Sequence, residues 1–326
     1  MYLMMMKNKD PLLSISLLGR FSVRFNGQCI SGFDANKVQE ILAYLLLHKA
    51  PQPRESLANV IWGEYPPTRA RKYLRQAIWQ IQQSIESQLG SNALKVVSVD
   101  TEWISIPLDA DLWLDVDVFE QAFVSVQGVA GSKMSEEQAK ALQAAVELYH
   151  GDLLCNCYQD WCLMDRERLQ NHRLVILDKL MEYHEHQGHY EMGIVYGEEI
   201  LASDCARERT HRQLMKLRYL AGDRSAAIRQ YQKCLSTLSE ELGVRPSART
   251  QALYNRICSD QPSQFSAEQE SLNLSASQSA SVLPSDAPYD FQAHAIHCLK
   301  SLYAELSQFQ NKLQKSIEQI EERRNK

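Results

Sequence analysis

The sequence predicts a multidomain protein, in which an α+β domain is followed by an all-α repeat region and then by a separate C-terminal helix. Period-two hydrophobic segments open the chain and recur near residue 100, whereas the segments between and after them have apolar residues spaced three and four apart. Gly188 and Gly222 lie 34 residues apart within a long helical stretch. The length of 326 residues suits more than one domain.

The first elements are short strands. Residues 14–18 and 21–25 alternate apolar and polar side chains, and the turn Asn26-Gly27 separates the second strand from Cys29 and Ile30. These features predict a small antiparallel sheet.

Three helices follow this sheet. Asp34 stands at an N-cap position before a helix whose apolar residues run to Leu46, and a second helix spans residues 54–62 with Gly63 at its end. Pro66-Pro67-Thr68 precedes a third helix over residues 69–89. Its predicted core face contains Ala70, Leu74, Ile78, Ile81 and Ile85.

A hairpin is predicted after the third helix, with strands at residues 95–99 and 103–106 around an acidic turn, Asp100-Thr101-Glu102. The order of strands, three helices and a hairpin is typical of a winged helix-turn-helix. We therefore predict an α+β winged helix-turn-helix domain at residues 14–107.

The charge distribution places a nucleic-acid contact in this domain. Residues 1–107 contain 12 Lys and Arg against 8 Asp and Glu, whereas residues 108–260 contain 17 against 24 and residues 261–326 contain 6 against 8. The net charge of −5 for the whole chain thus conceals a basic first third.

The polar faces of the third helix have the residue types that bind duplex DNA, because Arg and Lys contact phosphates while Arg and Gln pair with base edges. No acidic residue occurs between Tyr65 and Ile85. A solvated charged face is the plainer alternative, but the position of the helix favours DNA. The candidate DNA-binding residues are Arg69, Arg71, Lys72, Arg75, Gln76, Trp79, Gln80, Gln82 and Gln83, with Lys95 from the hairpin.

The middle of the chain contains a 34-residue repeat. Leu180-Met181 recurs as Leu214-Met215, and Leu201 recurs as Leu235. This period is the signature of tetratricopeptide-like helix pairs, which bury their apolar faces by stacking. We predict repeats within a domain at residues 108–258, with core positions that include Leu180, Ile194, Tyr231 and Leu235. The predicted helices span residues 136–150, 166–187, 190–202, 206–221, 224–239 and 247–257.

The chain resembles the Streptomyces antibiotic regulatory protein type of transcriptional regulators over residues 14–258. The similarity lies in Leu18-Gly19-Arg20-Phe21-Ser22-Val23, in Ile61-Trp62-Gly63-Glu64 and in Ala70-Arg71-Lys72-Tyr73-Leu74. The resemblance implies an OmpR-like winged helix followed by a bacterial transcriptional activation domain. It also implies contacts with RNA polymerase or an effector, and formation of a homodimer.

Two features depart from that family's pattern. The third helix ends in the amides Gln80, Gln82 and Gln83 where the family usually has Arg, so we expect weaker binding to phosphates. The hairpin turn contains Asp100 and Glu102, and we therefore expect this wing to be a poor reader of the minor groove or to point away from DNA.

No cofactor, metal or enzymatic activity is predicted. Phosphate-binding loops and nucleophile motifs are absent from the sequence, and the spacing of Cys155, Cys157 and Cys162 does not match a usual zinc site. His184, His186 and His189 do not share one helix face. The eight cysteines are expected to be reduced thiols.

The tail is predicted to contain a flexible linker at residues 259–288, which is rich in Ser, Gln and Ala, and a helix at residues 289–326. Ala295, Leu299 and Leu302 begin a heptad spacing that continues through Leu306, Phe309 and Leu313. A coiled coil and an amphipathic helix folded on the repeats both fit this spacing.

The sequence thus predicts a DNA-binding transcriptional regulator, an activator that binds repeated promoter sites as a dimer and has no membrane contact. The N-terminal residues do not form a secretory signal, and a cytoplasmic location is expected. The alternative hypothesis is a non-catalytic adaptor, in which the repeats bind protein partners and the winged helix is degenerate.

Overall fold

The computed structural model describes residues 13–89, 96–107 and 112–259. Lys95 and the predicted C-terminal helix lie outside this part of the chain, as does the predicted linker beyond Ser259. The predicted domain boundaries stay predictions.

A four-stranded sheet opens the fold, in the order β3-β2-β1-β7. The first hairpin is antiparallel, with Ile15 opposite Val23, and the predicted Asn26-Gly27 turn has φ values of 47° and 81°. These left-handed values match the two-residue hairpin turn that the dipeptide favours. The strands are β1 (Leu13–Ser16), β2 (Ser22–Phe25), β3 (Gln28–Cys29) and β7 (Leu112–Leu114).

The strand β7 joins this sheet parallel to β1, with Leu114 beside Ile15. It follows the winged helix-turn-helix elements in sequence and returns to their first strand. The helical region therefore begins directly from the sheet.

Three helices and a second sheet complete the winged helix-turn-helix. The helix α1 is capped by Ala35 without a side-chain bond, so the predicted cap at Asp34 is wrong by one residue. Gly63 has a right-handed φ of −59° and does not form a left-handed cap. The third helix begins at Pro67, because proline suits the first helical turn. The elements are α1 (Asn36–Leu47), β4 (Gln52–Pro53), α2 (Arg54–Trp62), α3 (Pro67–Leu89), β5 (Ser98–Val99) and β6 (Trp103–Ser105), with sheet order β4-β6-β5.

The buried carboxylate of Asp115 joins the sheet to the helical region. One oxygen accepts hydrogen bonds from the backbone N–H of Leu17 at 2.8 Å and of Leu18 at 2.9 Å, and the other accepts from Val116 at 2.8 Å. Burial raises the pKa of Asp115 to about 6, although the backbone bonds oppose this shift. The Asp115 carboxylate thus accepts hydrogen bonds both from backbone N–H groups at the end of β1 and from one in the first turn of the next helix.

A loop from the helical region adds a second connection. Leu18 forms a bridge with Leu153, and the N–H of Gly19 donates to Asp152 O at 3.1 Å. Gly19 has a φ of +98°, and a Cβ there would lie 3.2 Å from the backbone N of Gly151. Any other residue at position 19 would therefore strain this connection.

Helix pairs form the rest of the chain to residue 258. Gly188 and Gly222 have φ values of 77° and 85° and follow the ends of α6 and α8, as expected for a 34-residue repeat. The helix α6 begins six residues before the predicted start at residue 166. The helices are α4 (Asp115–Ser125), α5 (Glu136–Leu148), α6 (Asp160–His186), α7 (Tyr190–Ser203), α8 (Glu208–Leu220), α9 (Arg224–Leu242) and α10 (Ala248–Cys258), with a 3-10 turn at Gly131–Lys133.

The repeat core matches the sequence prediction except at its last unit. Leu180 is fully buried, and Ile194 is half-buried against the core. Tyr231 stacks on Tyr254 with ring centroids 4.0 Å apart. The prediction for Leu235 is wrong, because its side chain is 41% exposed. The equivalent Leu201 is 7% exposed, since α7 packs extensively on both α6 and α8, whereas α9 packs extensively on α8 and only lightly on α10.

Neither a membrane span nor a metal cluster is found in the described part of the chain. Its helices are too short or too polar to cross a bilayer. His, Cys, Asp and Glu side chains in the same ranges do not converge in groups of three or more.

We predict that Asp115→Asn lowers the free energy of unfolding by about 1–3 kcal/mol, because the amide group would place N–H donors against backbone N–H groups. Urea denaturation followed by circular dichroism measures this change. Asp117→Asn is the matched control. Asp117 pairs with the exposed Lys49 at 2.8 Å, and the loss of such a surface pair should cost less than about 1 kcal/mol. Equal effects of the two variants would contradict the role of Asp115.

The raised pKa of Asp115 also predicts a pH dependence. Its proton binds the folded state more tightly than the unfolded chain, so the stabilisation is complete below about pH 4 and is lost as the pH rises through about 6. The stability advantage of the wild type over Asp115→Asn should therefore be larger at about pH 4.5 than at about pH 7. Urea titrations at the two pH values measure it, and a constant difference would exclude a raised pKa.

Candidate nucleic-acid interface

The helix α3 has one fully apolar side that anchors it in the winged helix. The predicted residues Ala70, Leu74, Ile78, Ile81 and Ile85 are all buried, with exposures of 4% or less. Ala77 joins them at 6%. This side packs on α1 and α2. Since the opposite side cannot also be buried by these helices, the fold presents it outward.

The outward side is a row of four exposed residues, Lys72, Gln76, Trp79 and Gln83, which we call the outer row. Their spacing of four, three and four residues places them on one face of the helix, because each residue advances about 100° around the axis. Arg69 and Arg75 are exposed on either side of it. No ion pair to Arg69, Lys72 or Arg75 forms within the described residues.

Arg71 differs from these three cations because it faces α2. Its guanidinium Nη1 lies 3.2 Å from Glu55 Oε1, and its Nε donates to Pro67 O at 3.4 Å. Both side chains of the pair are more than half exposed, so the pair contributes little to stability. Arg71 could therefore exchange Glu55 for another anion at small cost.

Two of the candidate amides turn back toward the protein. Gln80 Nε2 donates to Gly32 O at 2.9 Å, and Gln82 Nε2 lies 3.5 Å from Val97 O. Both side chains are half-buried. They leave the helix at the two edges of its exposed side, so they hold α3 against neighbouring loops. Lys95, the remaining candidate, lies outside the described residues.

The last turns of α3 contain an acidic group beside the outer row. Gln83 Nε2 donates to the exposed Glu86 Oε2 at 3.1 Å. The sequence prediction rests only on the stretch between Tyr65 and Ile85, which has no acidic residue and does not include Glu86. The spacing of three residues between Gln83 and Glu86 is the sequence feature that indicates this contact. The cationic part of the face is therefore its N-terminal half.

The hairpin β5-β6 forms the wing, and Arg54 holds its turn. The backbone N–H of Arg54 donates to Glu102 O at 2.9 Å, and its Nη1 donates to Asp100 O at 3.1 Å. The side chains of Asp100 and Glu102 are exposed. No sequence pattern indicated this role for Arg54, because the bonds depend on the pairing of β4 with β6. The turn thus keeps its two acidic side chains in solvent.

The sequence of the chain is similar to those of known transcriptional regulators. The model of the family described as bacterial transcriptional activator domain matches residues 114–258. The transcriptional regulatory protein MoaR1 of Mycobacterium tuberculosis is 27% identical over 228 residues, which are 69% of this chain and 73% of that protein. The regulatory protein DnrI of Streptomyces peucetius is 27% identical over 256 residues, which are 77% of this chain and 93% of that protein.

A solved structure has the same fold. Mycobacterium tuberculosis EmbR, in complex with a low affinity phosphopeptide, superposes with a TM-score of 0.59 at 22% identity, covering 85% of this chain and 73% of that chain. The arrangement of a winged helix followed by helical repeats is therefore confirmed.

We predict that Gln80→Ala lowers the free energy of unfolding by about 1 kcal/mol, because Gly32 O loses its hydrogen-bond donor. Gln76→Ala is the matched control: its amide is exposed and the substitution should change stability by less than about 0.5 kcal/mol. Thermal and urea unfolding of the two variants measure both effects. A larger loss in Gln76→Ala than in Gln80→Ala would reverse the assignment of inward and outward amides.

Proposed function

We propose, given that this chain belongs to the Streptomyces antibiotic regulatory protein family of transcriptional regulators, that it binds duplex DNA by placing the outer row of α3 in the major groove. The observation that supports this proposal is the difference between the two sides of helix α3. Its aliphatic side is fully buried, while three cations without a described acidic partner surround its exposed side.

The exposed cations have the positions that phosphate contacts require. Arg69, Lys72 and Arg75 lie in the first turns of α3, on and beside the outer row. The major groove admits one α-helix, and cations that flank its inserted face meet the phosphates on either side. We propose Arg69, Lys72 and Arg75 as phosphate contacts, with Arg71 as a further contact once it releases Glu55.

The second half of α3 and the wing should contribute less to affinity. Gln80 and Gln82 bind the protein itself, and Glu86 is an acid at the same end of the helix. Asp100 and Glu102 would repel a phosphate backbone. We therefore propose that affinity depends on few phosphate contacts, and that this wing does not read the minor groove.

The effect on transcription that we propose is activation, because residues 114–258 match an activator domain. Binding to repeated sites as a homodimer and contact with RNA polymerase through the repeats are parts of the same proposal, as are a non-enzymatic role and a cytoplasmic location. No comparison favours the adaptor hypothesis.

We predict that Arg75→Ala weakens binding to the best duplex site and reduces the slope of log affinity against log salt by about one, as expected for the loss of one phosphate contact. The best site is first recovered by genome-wide binding with the full-length chain. Fluorescence anisotropy across a salt series then measures both quantities.

Arg249→Ala supplies the matched control, because Arg249 is an exposed arginine on α10, in the helical repeats. This variant should retain the affinity and the salt slope of the wild type. If Arg75→Ala also retains both, the outer row does not contact DNA and the proposed function fails.

A further inference from the structure

We infer that the outer row reads A·T base pairs, with Trp79 packed on the C5-methyl group of a thymine and Gln76 hydrogen-bonded to an adenine. This inference rests on the proposed function, because it assigns a sequence preference to the same helix face. It identifies the class of operator from the chemistry of two side chains.

Trp79 is the most exposed large apolar side chain among the described residues of the winged helix. Its side chain is 62% exposed, whereas Leu74, Ile78, Ile81 and Ile85 of the same helix are buried. The aromatic contacts of the winged helix involve Trp62, Tyr65 and Tyr73, and none among the described residues reaches Trp79. The indole therefore lies mostly exposed at the centre of the outward face without an aromatic partner among the described residues, and it remains available to an apolar group of a ligand.

Gln76 is the amide best placed to bind a base. Gln80 and Gln82 are engaged with backbone carbonyls, and Gln83 donates to Glu86. Gln76 is exposed and has no hydrogen-bond partner within the described residues. Both its carbonyl oxygen and its amino group are therefore free for a paired contact.

The spacing of the two side chains fits neighbouring base pairs. Three residues separate Gln76 from Trp79, which is a rise of about 4.5 Å along the helix axis. Stacked base pairs are about 3.4 Å apart along duplex DNA. A helix inclined to the groove can therefore present the two side chains to successive base pairs.

The chemistry of the groove selects A·T over G·C at both positions. Thymine alone presents a methyl group in the major groove, and an indole gains by burying it. Adenine presents one acceptor and one donor, which match the two halves of a Gln amide, whereas guanine presents two acceptors and would leave the Gln oxygen without a donor. Lys72 lies one turn before Gln76 and Arg75 one turn before Trp79, and both cations are more suitable for phosphate or guanine.

Replacement of single thymines by deoxyuridine in the best duplex site tests the inference, because the change removes one methyl group and leaves the hydrogen-bonding edge intact. We expect the full-length wild type to lose about fourfold in affinity at one thymine, the effect of about 0.8 kcal/mol for a buried methyl group. Trp79→Ala should bind the two duplexes equally. Trp103→Ala, which removes another exposed tryptophan from the wing, should retain the fourfold difference.

Three other outcomes would show whether the preference for A·T base pairs or DNA binding itself is wrong. If the wild type binds a specific site but Trp79→Ala shows the same loss with deoxyuridine as the wild type, the inference is wrong and the proposed function stands. If Trp79→Ala changes the sedimentation of the free protein, Trp79 belongs to a protein interface and the inference is again wrong. If the wild type binds no duplex specifically, the proposed function itself fails.

Discussion

The fold depends on one buried carboxylate that serves two elements at once. Asp115 accepts backbone hydrogen bonds from Leu17 and Leu18, where β1 ends, and from Val116, where the first helix after the sheet begins. A carboxylate in this position costs free energy through desolvation, and this burial raises its pKa even though the backbone hydrogen bonds oppose the shift. The alternative, several buried N–H groups without acceptors, would cost more. The winged helix and the repeats are thereby joined by bonds as well as by a continuous apolar core.

The way in which α3 is anchored explains why its exposed side can contain residues of different chemical types. The aliphatic side of α3 packs in the core, and Gln80 fixes the helix to the loop at Gly32 by a hydrogen bond. The remaining side does not pack in the core, so cationic, aromatic and amide-bearing residues can occupy it without loss of stability. The cations are confined to its first turns, and the acid Glu86 ends it. The face is therefore electrically asymmetric along its length.

Local patterns predicted most of the fold. The aliphatic side of α3 was predicted residue by residue, because a 23-residue helix repeats its period many times. The Asn26-Gly27 dipeptide predicted the first hairpin turn, and the spacing of Gly188 and Gly222 predicted the helical repeat, in the same direct way. The strand β7 gave no such signal, since its parallel pairing with β1 joins residues about a hundred positions apart. Capping and end effects also escaped prediction, as with Asp34 and Leu235.

The candidate site was predicted less completely. The candidate residues from Arg69 to Gln83 lie on one helix, as the sequence predicted, but a period of 3.6 residues does not tell which side chains at the edges of its exposed side turn back to the protein. Gln80 and Gln82 do so because carbonyl oxygens of distant loops lie within reach. Arg54 escaped for the same reason, since its acceptors belong to a hairpin about fifty residues later. These contacts are products of tertiary structure.

The return of β7 to the first sheet restricts how such a chain could recombine in evolution. An exchange of winged helices between two relatives at the hairpin, near residue 107, would separate β1 from the strand beside it and from Asp115. The paired approach of Gly19 and Gly151 would also have to be preserved across the new joint. Under the proposed function, DNA specificity in this architecture should therefore diverge by point substitution on α3 more readily than by exchange of whole domains.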